Sequence, residues 1–171
     1  MGRLNPPRPL EAGDDCERFD CGRESLNQWF RQHAWRNHEA GVSRVTVLTD
    51  AESGLIAGYV ALCAGQIERE FLPKSARRNR PEHIPVFLLG QLAADKRFQG
   101  HGCGRSLMLY ALKGCVQVAR EVAGFGVITH PLDDGVRRFY ERWGFENLPY
   151  DPRGSMIVRI KELEHNGLGD A

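Results

Sequence analysis

The spacing of apolar positions changes several times along the chain, and each change marks an element. Ser25 and Gln28 are spaced as a capping box. Behind them Leu26, Trp29, Phe30, His33 and Ala34 fall on one helical face, which predicts a helix from about Leu26 to about Asn37. Arg44–Leu48 reads as a strand, Thr49–Gly54 as a turn and Leu55–Gly65 as the returning strand of a hairpin. Residues 68–83 are polar, rich in arginine and broken by two prolines, so a loop with one short helical turn is expected. Ile84–Ala94 is continuously apolar, as a buried central strand is. Leu107, Met108, Ala111, Leu112, Cys115, Val118, Ala119 and Val122 then repeat at helical spacing and predict a long amphipathic helix. Phe125–Thr129 reads as a short buried strand. Asp133 is placed to cap a helix whose face carries Val136, Phe139, Tyr140 and Trp143, and Gly144 to end it. Ser155–Ile160 alternates like a last strand. A leading helix followed by the order β-β-β-α-β-α-β predicts an α/β protein with a central mixed sheet flanked by helices. One domain over 1–171 is expected, with 1–15 loosely ordered.

Composition narrows the classes. With 171 residues, 42% apolar and 26% charged, the chain can bury a core and is not of disordered type. A net charge of +1 means that any basic surface must be local. The five cysteines form no Cys-x-x-Cys and the six histidines no His-Glu-x-x-His, so no metal site is expected. The longest apolar run, Leu55–Gly65, is too short to span a bilayer, and the first fifteen residues lack a signal-type apolar stretch. A cytoplasmic protein without a membrane partner is expected.

The chemistry concentrates at Gln99-Gly100-His101-Gly102-Cys103-Gly104, between a buried strand and a long helix. Three glycines in five residues allow positive φ and close approach of the backbone to a ligand. Successive N–H groups in such a turn make an anion nest, and the helix behind it adds the positive end of its dipole. Lys96, Arg97 and Arg105 flank it and can add charged contacts. No Gly-Lys-Ser/Thr follows, so this is not a Walker loop, and Gly104 comes one residue too early for a dinucleotide fingerprint. A pyrophosphate cradle and a ligand-free glycine-rich turn both remain open on these residues alone. Tyr140 shares its helical stripe with Val136, Phe139 and Trp143, so a core tyrosine is one reading. Its phenol, with an ordinary pKa of about 10, is also suited to protonating a departing thiolate.

A strand, then Gln99-x-x-Gly102-x-Gly104 opening a helix, then Phe139-Tyr140-x-x-x-Gly144-Phe145, resembles the GNAT acetyltransferase family. The resemblance implies the GNAT fold and acetyl-CoA as co-substrate, without a metal. It implies a pyrophosphate held by the backbone of Gln99, Gly100, His101, Gly102, Cys103, Gly104 and Arg105. It also implies a pantetheine arm lying along Leu92, Ala93 and Ala94 like an added strand. Tyr140 matches the tyrosine that protonates the coenzyme A thiolate. Cys103 is expected to be structural, because the family transfers the acetyl group directly.

A narrower likeness lies in Phe19-Asp20-Cys21-Gly22, Leu26-Asn27-x-Trp29 and His33-Ala34, together with Pro85–Ala93 followed by Asp95. These segments resemble the TacT/AtaT-type GNAT toxins of type II toxin–antitoxin modules. That likeness implies acetylation of the α-amino group of aminoacyl-tRNA, which blocks translation. It implies a ribbon-helix-helix antitoxin and a homodimer as well. A GNAT acetyltransferase of a small-molecule or protein amine is the alternative. The central strand carries no Asp or Glu between Ile84 and Ala94. An α-amine, with a pKa of about 7.7–8.0 against about 10.4 for lysine, needs a general base least. Lys74, Arg77, Arg78 and Arg80 form a basic run, diluted only by Glu82, that is a candidate RNA contact; a solvated charged loop is the plain alternative.

Overall fold

In a computed structural model that describes residues 3–168, the elements run in the expected order with three additions. They are β1 (Arg8–Pro9), α1 (Glu24–Trp29), α2 (Trp35–Glu39), β2 (Arg44–Thr49), β3 (Ile56–Glu68) and β4 (His83–Ala94), followed by α3 (Cys103–Val122), β5 (Gly126–Thr129), α4 (Asp134–Glu141), β6 (Glu146–Asn147), β7 (Met156–Arg159) and α5 (Ile160–His165). The additions are β1, β6 and α5, each too short to leave a periodic pattern. The strands hydrogen-bond in the order β1-β2-β3-β4-β5-β7-β6. The β4–β5 pair is parallel and the pairs β1–β2, β2–β3, β5–β7 and β6–β7 are antiparallel, so the sheet is mixed.

Two compact units share these elements. The first comprises Met1–Cys63 with Gly90–Ala111. Its core is aromatic. Tyr59 stacks on Phe30 at 4.2 Å and on Trp29 at 5.9 Å, and its hydroxyl donates to the Leu26 carbonyl at 2.8 Å. Three expectations change here. The leading helix starts at Glu24 with Arg23 at the cap position, and no side chain caps it, so the Ser25–Gln28 box does not form. Between α1 and α2 the helix widens into a π segment, Phe30–Ala34, which keeps Phe30 and Ala34 in the core. The first fifteen residues, expected to be loosely ordered, are tied down from Arg3 onward. Arg8 and Pro9 pair with Val47 and Thr46, Arg8 grips Asp14 at 2.8 and 2.9 Å, and Leu10 is buried.

The second unit comprises Ala64–Leu89 with Leu112–Ala171. Its core gathers Ile67, Leu72, Ile84, Val86, Ile128, Leu148 and Ile157. The parallel β4–β5 ladder pairs Phe87, Leu88 and Leu89 with Val127, Ile128 and Thr129 and stops there, although β4 continues to Ala94. Gly126 has no room for a side chain, since a Cβ would meet the Val158 carbonyl at 2.7 Å. The loop expected at 68–83 holds two single turns of 3-10 helix, Arg69–Phe71 and Lys74–Ala76. Among the described residues no helix is long and apolar enough to cross a membrane.

Candidate active site

The glycine-rich segment lies in the first unit. β4 is followed by Asp95, which is 1% exposed and starts a 3-10 turn, Lys96–Phe98, by accepting from the Arg97 N–H at 2.9 Å. Gly100 and Gly102 adopt φ of +85° and +80°, and a Cβ on either would meet nothing within 4 Å. Backbone conformation therefore demands glycine here, and the space beside both residues is open. α3 begins at Cys103, and the Ser106 N–H bonds the Gly102 carbonyl at 3.0 Å. Helix geometry leaves the N–H groups of Cys103, Gly104 and Arg105 without a carbonyl four residues back. A helix start with free N–H groups of this kind is suited to an anion.

The donors differ in detail from those expected. The His101 N–H is taken by the Phe98 carbonyl at 3.2 Å, so it closes the turn. The Gln99 side chain points back, donating to the Ala94 carbonyl at 3.2 Å and the Cys21 carbonyl at 3.3 Å. Cys103 is buried, its thiol against the Phe98 carbonyl at 3.7 Å, and burial pushes its pKa up. It has the character of a structural cysteine, as expected. Of the flanking cations, Arg97 forms a two-pronged pair with Asp95, both contacts at 2.8 Å, and Lys96 pairs with Asp20 at 3.0 Å. Arg105 is exposed and makes no ion pair among the described residues. Of the three flanking cations, Arg105 alone keeps a charge not paired with a carboxylate among the described residues.

A brace that the sequence reading missed holds this segment. Asn27 is 2% exposed; it accepts from the Cys21 N–H at 2.8 Å and donates to Asp20 at 2.9 Å. Asp20 also accepts from the Gly22 N–H at 2.9 Å, and its own N–H donates to Asp95 at 3.0 Å. The Lys96 N–H reaches the Asp20 carbonyl at 2.8 Å. The Gly22 N–H, then Asn27 and Lys96, hold the Asp20 carboxyl down at about 2. Burial works to raise Asp95, but Arg97 and two backbone N–H groups outweigh it and leave that carboxyl below its ordinary range. The signal was present in Phe19-Asp20-Cys21-Gly22 and Asn27. It was read there only as a likeness, because its partners lie some 75 residues away in sequence.

On β4, Ala93 is buried and its carbonyl lies 3.0 Å from where a Cβ on Gly58 would stand. Leu92 and Ala94 are half-buried. The Asp95 N–H bonds the Ala57 carbonyl at 2.9 Å.

Tyr140 lies in the second unit, near the end of α4, a helix that Asp133 caps through the Val136 N–H at 2.9 Å, as expected. The ring packs edge-on against Phe139 at 5.5 Å and Phe145 at 5.2 Å and is 5% exposed. Its hydroxyl interacts with Thr129, which donates to the Leu89 carbonyl at 3.2 Å. Burial pushes the phenol above its ordinary value, with Thr129 opposing. The two readings of Tyr140 are therefore compatible: the ring is core, and the core aims a protonated hydroxyl at the C-terminal end of β5.

The basic run divides in the same unit. Arg77 donates to the carbonyls of Leu72 at 2.8 Å and Glu70 at 2.7 Å and lies over Tyr150 at 4.9 Å. Arg80 bonds the Ala76 carbonyl at 3.4 Å and lies over Phe125 at 5.0 Å. Both are half-buried and hold the loop together. Lys74 and Arg78 are the exposed ones. Among the described residues none of the four pairs with a carboxylate, so their positive charge is not cancelled locally.

The seven-stranded mixed sheet flanked by helices is the architecture of an acyl-CoA N-acyltransferase. The acetyltransferase (GNAT) domain family matches residues 41–147, and this chain belongs to that family. It is 35% identical over 158 residues to the tRNA-acetylating toxin of Mycobacterium tuberculosis, covering 92% of this chain and 94% of that one. Among solved structures it resembles AtaT complexed with acetyl-methionyl-tRNAfMet, with a TM-score of 0.87, 30% identity and coverage of 96% and 99%. It also resembles a tyrosine-to-phenylalanine mutant of the AtaT toxin bound to the C-terminus of the antitoxin AtaR and acetyl-CoA, with a TM-score of 0.79, 26% identity and coverage of 95% and 97%.

Proposed function

We propose that this chain transfers the acetyl group of acetyl-CoA to the α-amino group of an aminoacyl-tRNA and thereby stops translation. The observation that carries the reading is the likeness, over nearly the whole length, to AtaT in complex with acetyl-methionyl-tRNA. The whole chain acts as one acetyltransferase domain. The N–H groups at the start of α3 and the side chain of Arg105 hold the pyrophosphate, with Gln99, Gly100, His101 and Gly102 shaping the turn. The pantetheine arm runs along Leu92, Ala93 and Ala94, whose N–H groups polarise the thioester carbonyl. The amine attacks that carbonyl directly, and Tyr140 gives its proton to the leaving thiolate. Lys74 and Arg78 contact the RNA backbone, on a loop that Arg77 and Arg80 keep folded.

The protein works in the cytoplasm as a homodimer, restrained by a ribbon-helix-helix antitoxin. Sedimentation of the purified chain, and co-purification with a small protein encoded beside it, test those two partners. The central test offers radiolabelled acetyl-CoA with charged and uncharged tRNA. Label on charged tRNA alone, lost in Tyr140→Phe, is the expected result. Label on neither, with acetyl-CoA still bound, would refute the RNA acceptor.

A further inference from the structure

The β5–β7 ladder pairs Gly126 with Arg159, Val127 with Val158, Ile128 with Ile157 and Thr129 with Met156. One step beyond it, His130 stands opposite Ser155, and their side chains meet, Nδ1 to Oγ, at 2.7 Å. Ser155 is fully buried, whereas the His130 ring is exposed. Behind the serine lies Asp151, 5% exposed, whose Oδ1 accepts from the Arg153 N–H at 2.9 Å. Its Oδ2 is buried with no hydrogen-bond partner, and the nearby Ser155 hydroxyl helps to lower this carboxyl's pKa against the effect of burial.

The unpartnered Asp151 oxygen argues for one placement of the protons. A buried carboxylate oxygen without a donor is costly, so the single hydroxyl proton of Ser155 points to Asp151. The serine oxygen must then accept from His130, which places the ring proton on Nδ1. The lone pair is then on Nε2, the ring nitrogen that Ser155 does not meet, in a residue that is exposed. A carboxylate orients an imidazole in the same way in other acyl-transfer sites, here with a hydroxyl interposed. Burial and Arg153 lower the imidazole pKa against the opposing pull of Asp151, so the ring is neutral at pH 7. His130 also directly follows Thr129, the residue that meets the Tyr140 hydroxyl.

We infer that His130 Nε2 takes the proton from the acceptor amine during acetyl transfer, with Ser155 and Asp151 as its positioning residues. The inference deepens the proposed function and rests on it. The amine nitrogen bonds to the thioester carbon, and the carbonyl π pair moves onto oxygen. Nitrogen then gives its proton to His130, the oxygen pair returns, and the C–S bond breaks. The thiolate takes the Tyr140 proton, and water carries one proton from imidazolium back to phenolate. This assigns a base where β4 offers no carboxylate. A nitrogen bonded to the carbonyl carbon is far more acidic than a free ammonium, so a neutral imidazole suffices.

Two measurements test it. In His130→Gln, kcat at pH 7 is expected to fall about 100-fold, at the low end for a lost general base. Acetyl-CoA affinity should not change, and added imidazole should restore part of the rate. The acid limb of the wild-type kcat profile should disappear with the ring. A kcat within twofold of wild type across pH 6–9 overturns the inference. Nitrogen NMR of the wild-type protein reads the tautomer without any turnover. The Nδ1–H form supports the relay, and an Nε2–H form refutes it. Wild-type protein inert on charged tRNA would instead sink the RNA reading, and His130 would still stand or fall on its tautomer.

Discussion

The glycine-rich cradle and the 69–82 loop are both short, irregular and rich in arginine, yet they use charge in opposite ways. Around the cradle, Asp95 neutralises Arg97, and Asp20 neutralises Lys96. Those cations fix shape, and an anion held there, as proposed above, would be left to backbone N–H groups and Arg105. In the loop, Arg77 and Arg80 bond carbonyl oxygens and aromatic faces, which give geometry without cancelling charge. The first arrangement makes a site specific by conformation. The second keeps a surface positive while holding it folded. An arginine's role therefore depends on whether a carboxylate or a carbonyl receives it.

The largest expected effect lies outside both regions and calibrates them. Tyr140→Phe should lower kcat about 10²–10⁴-fold, the span of general-acid contributions. It should leave acetyl-CoA affinity unchanged and cost about 1 kcal/mol of stability through the lost contact with Thr129. Steady-state kinetics beside calorimetric titration read all three. An active phenylalanine variant would leave Tyr140 as core alone.

Next comes the brace. Asp95→Ala strands the Arg97 guanidinium and the Asp20 N–H, and should cost about 2–3 kcal/mol in denaturant unfolding at pH 7. The sign with pH follows from the carboxyls. Asp20 at about 2 and a lowered Asp95 lie below the unfolded value of about 3.9. Their stabilisation is therefore complete above about pH 5 and disappears as pH falls toward about 2. The gap between wild type and Asp95→Ala should narrow on going from pH 7 to pH 3. A gap independent of pH would mean that the pair contributes packing and not charge.

Gly102→Ala probes the cradle itself. Its Cβ would meet nothing, so the positive φ alone costs about 1–2 kcal/mol. Part of that should appear as roughly tenfold weaker acetyl-CoA binding, with the Tyr140-dependent step intact at saturation. Unchanged affinity would show that the turn's conformation is not what recognises the pyrophosphate.

What the sequence revealed follows from interaction range. The longer strands, α3, the Asp133 cap and the Gly100–Gly104 turn rest on local periodicity or on one residue's conformation, and were legible. The Asp20–Asp95 and His130–Ser155 contacts join residues far apart in sequence, and no local pattern marks them. The Ser25 box failed for a related reason: burial of Phe30, Leu26 and Ala34 sets where the helix begins, and a cap worth about 1 kcal/mol cannot override it. Charge sign in the loop was legible, but its division into structural and exposed cations was not.

That division gives the smallest and sharpest test. Lys74→Ala and Arg78→Ala each remove an exposed cation and should leave thermal stability within about 0.5 kcal/mol of wild type, as surface changes do. Each should reduce the salt dependence of tRNA binding by about one unit of slope, the signature of one lost phosphate contact. Arg77→Ala should do the reverse. It removes two carbonyl bonds and the contact with Tyr150, so the loop loosens and stability falls before any RNA is present. Measured together by filter binding at several salt concentrations and by thermal unfolding, the three variants separate charge that binds from charge that folds. Equal slopes in Lys74→Ala, Arg78→Ala and wild type would move the RNA contact off this loop. A stable Arg77→Ala with a reduced slope would erase the distinction between the loop's exposed and half-buried cations.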